Sequence, residues 1–204
     1  MNDANRESSP TGSFRRYSLL LIFTVLGYLF QACVMPYLNI FGVTPNLLYA
    51  VIAIVTVAYG KLRAFWVGMI YGLIMEIMLP SITYLNLAIY PITTLFCSFP
   101  FADKPLKRLE YDRAMNRETY EMPAWLRTVL CAGMNVFIYE AVNVTYIYLG
   151  GSALTAAHIG RAVLDVLLTM CLTLILEFPV RRAILGRKTE TPVLKSAPVV
   201  FGKR

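Results

Sequence analysis

The chain has 204 residues, 57% of them hydrophobic and 15% charged, and carries a net charge of +7. Soluble domains run near ~45–50% apolar and ~25% charged, so this composition excludes an ordinary water-soluble domain and leaves room for one compact unit. Its basic residues lie in short blocks between apolar runs, the arrangement of membrane loops and not of a nucleic-acid surface, where bases interleave with accessible aromatics.

Taken in chain order, residues 1–16 form a polar N-terminal segment that holds Arg6, Arg15 and Arg16. No charge follows from Tyr17 to Gly60, a run of 44 residues. One helix of that length would measure about 66 Å, twice the thickness of a hydrocarbon core, so the run must fold back. The stretch from Pro36 to Pro45 supplies the break, giving spans at about 17–36 and 45–60. The first of these is too long for a signal-peptide core and shows no small-x-small cleavage site, so it reads as a retained helix. The second is short, and tilt, local thinning or a reach by Lys61 to the surface is expected to make up the difference.

From Ala64 to Ala102 the only charge is Glu76, and Pro80-Ser81 divides the run into spans at about 62–80 and 83–101. A polar cytoplasmic loop at about 102–123 follows, then a span from Ala124 to about 148 that ends at Gly150-Gly151. A last span at about 157–178 stops at Pro179, and a basic tail occupies 179–204. The expected fold is thus an all-α membrane protein, a six-helix transmembrane domain over 17–178 with both termini in the cytoplasm. This topology places 18 of the 19 basic residues on the cytoplasmic side and none in the outer loops, leaving Arg161 inside span six. A multi-pass membrane protein with its basic loops in the cytoplasm is the expectation.

The sequence holds no HExxH, no GxSxG and no P-loop, and His158 is its only histidine. No catalytic residue, cofactor site or metal site is expected, and the reading is a non-enzyme. Cys33, Cys97, Cys131 and Cys171 fall one to each of four apolar runs and read as small buried hydrophobes. Two patterns stand out. Ala64, Gly68, Gly72 and Glu76 recur every four residues on one stripe of span three, and small residues at that spacing let a second helix approach closely. Glu76, Glu140, Arg161 and Asp165 form a group of ionisable residues at membrane depth, each costing at least ~2.5–3.5 kcal/mol if left charged at the bilayer centre. They read either as an outward-facing polar cavity or as a structural network, with Arg161 expected to hold Glu76 and share its guanidinium with Asp165. Glu177 and Arg181, also i and i+4, read as an anchor at the cytoplasmic interface.

Leu29-Phe30-Gln31, Pro36, Thr44-Pro45-Asn46-Leu47-Leu48 and the segment Gly68 to Glu76 together resemble the MreD family of bacterial rod shape-determining membrane proteins. In that family an early Gln (here Gln31), a Pro-Asn before span two (Pro45, Asn46) and a Gly-x-x-x-Gly-Leu-x-x-Asp segment recur. Glu76 stands where the family usually has Asp. The match is best over 29–92. The resemblance implies a non-catalytic scaffold of the elongation machinery, with an MreC-like protein, MreB-like filaments, a RodA-like glycosyltransferase and a transpeptidase as partners in lateral peptidoglycan synthesis. It also implies a fold similar to the six-helix substrate-binding subunits of energy-coupling-factor vitamin transporters. The alternative function is therefore a membrane subunit that captures a small solute, with Glu76, Tyr84, Asn86, Glu140 and Asp165 lining an outer pocket.

Overall fold

The computed structural model describes residues 10–78, 84–102, 122–151, 153 and 155–185, with residues 10–16 and 181–185 described as helical backbone alone. The expected segments at 1–9, 103–121 and 186–204, and the break at Pro80-Ser81, lie outside the described residues. Among the described residues six α-helices follow one another: α1 (Pro10–Cys33), α2 (Leu47–Tyr59), α3 (Lys61–Met78), α4 (Leu85–Phe101), α5 (Ala124–Leu149) and α6 (Ala156–Leu185). Among the described residues there is no β-strand, and a single isolated bridge joins Ile40 and Val43. Three helical segments are long and apolar enough to cross a membrane: Tyr17–Tyr37, Ala124–Leu149 and Ala156–Val180.

Two helix ends differ from the expectation. Helix α1 already includes Pro10, ahead of the expected span at about 17–36. Helix α6 does not stop at Pro179 but runs on to Leu185. A proline inside a helix removes one hydrogen bond and bends the rod, and α4 likewise contains Pro91 and Pro100.

Helix α2 is the axle of the molecule. Every residue from Leu47 to Val57 is buried, and α2 packs on all five other helices. Its 13 residues span only about 20 Å. The walls around α2 are the other helices of the bundle. Gly60, at φ +85°, joins α2 to α3 in one residue, a backbone conformation that L side chains rarely adopt. Beside this joint, the Lys61 ammonium lies 4.1 Å from the Phe99 ring centre, and the Arg63 guanidinium lies over Tyr17 and Tyr59. These contacts tie the α2–α3 corner to α4 and α1.

The surface is more apolar than that of a soluble protein, and the mainly hydrophobic interior also holds small polar side chains. Leu21, Trp66, Phe96, Phe137 and Ile175 are well exposed, whereas Thr56, Thr94, Ser98, Thr128, Asn135 and Thr173 are buried. The buried hydroxyls bond back to their own helices, as Thr56 does to the Ile52 carbonyl (2.8 Å) and Thr173 to that of Thr169 (2.6 Å). Of the cysteines, Cys97 and Cys131 are buried as expected, but Cys33 and Cys171 face outward.

Candidate functional site

The small-residue stripe of α3 faces α4, and the approach is backbone to backbone. A β-carbon added at Gly72 would lie 2.8 Å from the Asn86 carbonyl oxygen and 3.2 Å from Leu87 Cα. At Gly68 it would meet Thr94 Oγ1 at 2.8 Å, the Tyr90 carbonyl at 3.2 Å and Pro91 Cα at 3.3 Å. Ala64 continues the stripe, fully buried. Neither glycine position has space for even a methyl group.

Glu76 closes this seam, though by a route the sequence expectation missed. Its carboxylate accepts hydrogen bonds from the backbone N–H groups of Tyr84 (2.6 Å) and Asn86 (3.2 Å), at the start of α4. An α-helix leaves its first N–H groups without internal partners, and its N-terminus carries partial positive charge, so an acid from the preceding helix caps it well. Tyr84, in the left-handed region at φ 65°, turns its N–H towards Glu76. The expected pairing of Glu76 with Arg161 is therefore corrected: α3 packs on α4 and α2, α6 packs on α5, α2 and α1, and Arg161 is exposed on α6. The counter-charge for Glu76 is a helix end.

A second node holds the start of α2. Asn46 occupies the position before the helix, but its side chain makes no capping bond. Other helices cap it instead: the Leu47 N–H donates to Gln31 Oε1 of α1 (2.7 Å), and the Asn46 N–H donates to Thr169 Oγ1 of α6 (3.0 Å). Thr169 in turn donates to the Asp165 carboxylate (3.2 Å), and Asp165 meets the Glu140 carboxyl of α5. Pro45 is buried beside them. Of the residues singled out by family resemblance alone, Gln31 thus seats the N-terminus of a buried helix through its side chain, and Asn46 joins in through its backbone N–H.

Three tyrosines fill the space behind this node. Tyr49 and Tyr90 stack at 4.6 Å and nearly parallel, and Tyr139 tilts against both at 5.5 and 5.9 Å. The four ionisable residues expected to cluster are consequently divided. Glu76 sits at the α3–α4 turn, Glu140 and Asp165 meet between α5 and α6, and Arg161 lies apart on the outer surface of α6. The proposed solute pocket divides the same way, with Tyr84 and Asn86 beside Glu76. An apolar crevice of about 310 Å³ opens between α5 and α6, lined by Phe137, Val144, Ile159 and Val163, with Glu140 in its wall.

Glu177 differs from its expected role as an interfacial anchor: it is 2% exposed, inside the bundle. The side chain of Arg181, its expected partner, lies outside the described residues. Among the described residues no group of three or more His, Cys, Asp or Glu side chains is placed to hold a metal ion. Comparison with family models, with characterised proteins and with solved structures gave no match.

Proposed function

We propose that this chain is a six-span scaffold of a bacterial cytoplasmic membrane, with both termini in the cytoplasm, that supports rod shape and lateral wall synthesis by binding partner helices. Three helical segments have the length and apolarity to cross a bilayer on their own. The remaining three span as part of the bundle: α2 is walled in by protein, while α3 and α4, at 18 and 17 residues, reach about 25–27 Å of an approximately 30 Å core. The division of basic residues in the sequence supports the orientation.

The observation that carries the scaffold reading is how the polar side chains are used. Glu76 caps α4, Gln31 and Thr169 cap α2, and the tyrosine stack occupies the centre. The polar groups hold the protein's own helices, while its apolar outer faces are left to lipid and to other membrane helices. The resemblance to MreD-like proteins names the partner classes: an MreC-like protein, MreB-like filaments, a RodA-like glycosyltransferase and a transpeptidase. Purification from native membranes after cross-linking tests this, the expected outcome being co-recovery of those wall-synthesis proteins. A reporter fused after Arg204 should be cytoplasmic and one inserted at Gly150-Gly151 external.

The second reading, a solute-binding membrane subunit, has one observation on its side, the α5–α6 crevice with Glu140 in its wall. Recovery of an ATPase module in place of wall-synthesis proteins would decide for it.

A further inference from the structure

We propose that the connection between α1 and α2, residues 34–43, is a wedge seated in the outer boundary between lipid headgroups and acyl chains, with Tyr37 and Phe41 as its lipid-contacting side chains. The inference rests on the membrane-spanning reading above and adds to it a specific lipid-binding element.

The segment is a built structure. Met35 and Val43 are buried and tie it to the bundle. The turn Met35–Tyr37 is closed by the Leu38 N–H donating to the Met35 carbonyl at 2.9 Å. Beyond it, Ile40 and Val43 exchange both backbone bonds, at 3.0 and 3.1 Å, around a two-residue turn. Both turn residues have positive φ, 54° at Phe41 and 81° at Gly42. That geometry favours Asn or Asp followed by Gly, and a phenylalanine in the left-handed region is strained. The paired Ile40 and Val43 backbone holds the turn in this conformation, and it presents Phe41, 88% exposed, outward beside the equally exposed Tyr37. The contact for these two rings lies outside the described residues.

Three observations make that contact lipid. First, depth: α2 ends on the cytoplasmic side at Gly60, followed by Lys61 and Arg63, and rises only about 20 Å from there in a core of about 30 Å. The start of α2 thus lies about 10 Å below the outer boundary, and the connecting segment occupies the missing depth. Second, the segment falls in the run without any charge, and its paired backbone groups suit a place where water is scarce. Third, its exposed side chains continue the outward apolar face of α1, from Leu26 through Phe30 and Val34 to Leu38 and Ile40. That face belongs to a helix long and apolar enough to cross a membrane, and aromatic rings favour the interface at its end.

The test uses the full chain in liposomes whose acyl chains carry bromine either near the glycerol or near the methyl end. Trp66 and Trp125 are replaced by Phe, and a single reporter is introduced as Phe41→Trp, with Tyr37→Trp as the second variant should the first not fold. The expected result is blue-shifted emission that loses about half its intensity to shallow bromines, less to deep ones, and little to aqueous iodide. Emission open to iodide and untouched by either brominated lipid overturns the proposal and leaves the wedge to an extracytoplasmic protein. Leu167→Trp, on the outward face of α6, is the control. If it too escapes both brominated lipids, the membrane-spanning reading itself has failed; if it alone is quenched, only the wedge has.

Discussion

The two helical hairpins of this protein, α3–α4 and α5–α6, are built on opposite principles. In the first, Gly68 and Gly72 bring one helix against the bare backbone of the other, and Glu76 locks the far end by binding backbone amides. In the second, the three atoms nearest to a β-carbon added at Gly133 all belong to the thioether of Met170, with Sδ at 2.8 Å and Cγ at 3.0 Å, and a crevice opens between the helices. Backbone cannot move aside without breaking its helix, whereas a methionine can rotate. The first hairpin is a fixed joint and the second an adaptable one.

The largest effect expected from this contrast is that of Gly72→Leu. A branched side chain has no space between α3 and the carbonyl of Asn86, and overpacking of this kind costs about 3 kcal/mol or more. Recovery of monodisperse protein in mild detergent, followed by size-exclusion chromatography, should fall to near background. Wild-type yield would remove the fixed-joint description.

A sharper comparison sets Gly72→Ala against Gly133→Ala. The first adds a methyl 2.8 Å from a carbonyl oxygen and should destabilise by about 1–3 kcal/mol. The second forces only Met170 to turn and gains about 0.8–1 kcal/mol of helix propensity, so it should stay within about 1 kcal/mol of the parent. Reversible unfolding in mixed detergent measures both, and equal losses would erase the distinction.

At the end of the fixed joint, Glu76→Ala removes the acceptor for two amides and should cost about 1–2 kcal/mol, the usual loss of a helix cap. Glu76→Gln, which keeps an acceptor oxygen, should lose less. The smallest expected effect is that of Arg161→Ala. It should change stability by no more than about 0.5 kcal/mol, and combining it with Glu76→Gln should be additive within about 0.5 kcal/mol. A larger coupling would restore the ion pair that the geometry denies.

That ion pair shows where reading the sequence stops. Charge-free runs located the six described helices, and the four-residue spacing of Ala64, Gly68 and Gly72 marked the face of α3 that packs. Spacing gives depth along a helix axis, however, and says nothing of how helices are ordered around the bundle. Glu76 and Arg161 were matched by depth, but they stand on helices that do not pack on each other as a pair. The partner of Glu76 was also invisible as a residue type, because backbone N–H groups carry no letter in a sequence. The same holds for α2, whose enclosure follows from the arrangement of five neighbours and not from its own apolar run. Gln31 and Asn46 could be singled out by resemblance, while Thr169, which completes their node, has no local pattern to mark it.

The node at the start of α2 also has a calendar. The Asn46 amide and its acceptor, Thr169 Oγ1, are separated by 123 positions in the chain. At about 5–20 residues per second, the ribosome delivers the acceptor roughly 6–25 s after the donor. Until then the start of α2 is held by Gln31 alone, which emerges ahead of it, and α6 is the helix that completes the anchorage of the second. A ribosome halted before Thr169 therefore leaves a nascent chain whose central helix is fastened at one of its two points, with the Asn46 amide still waiting for its acceptor.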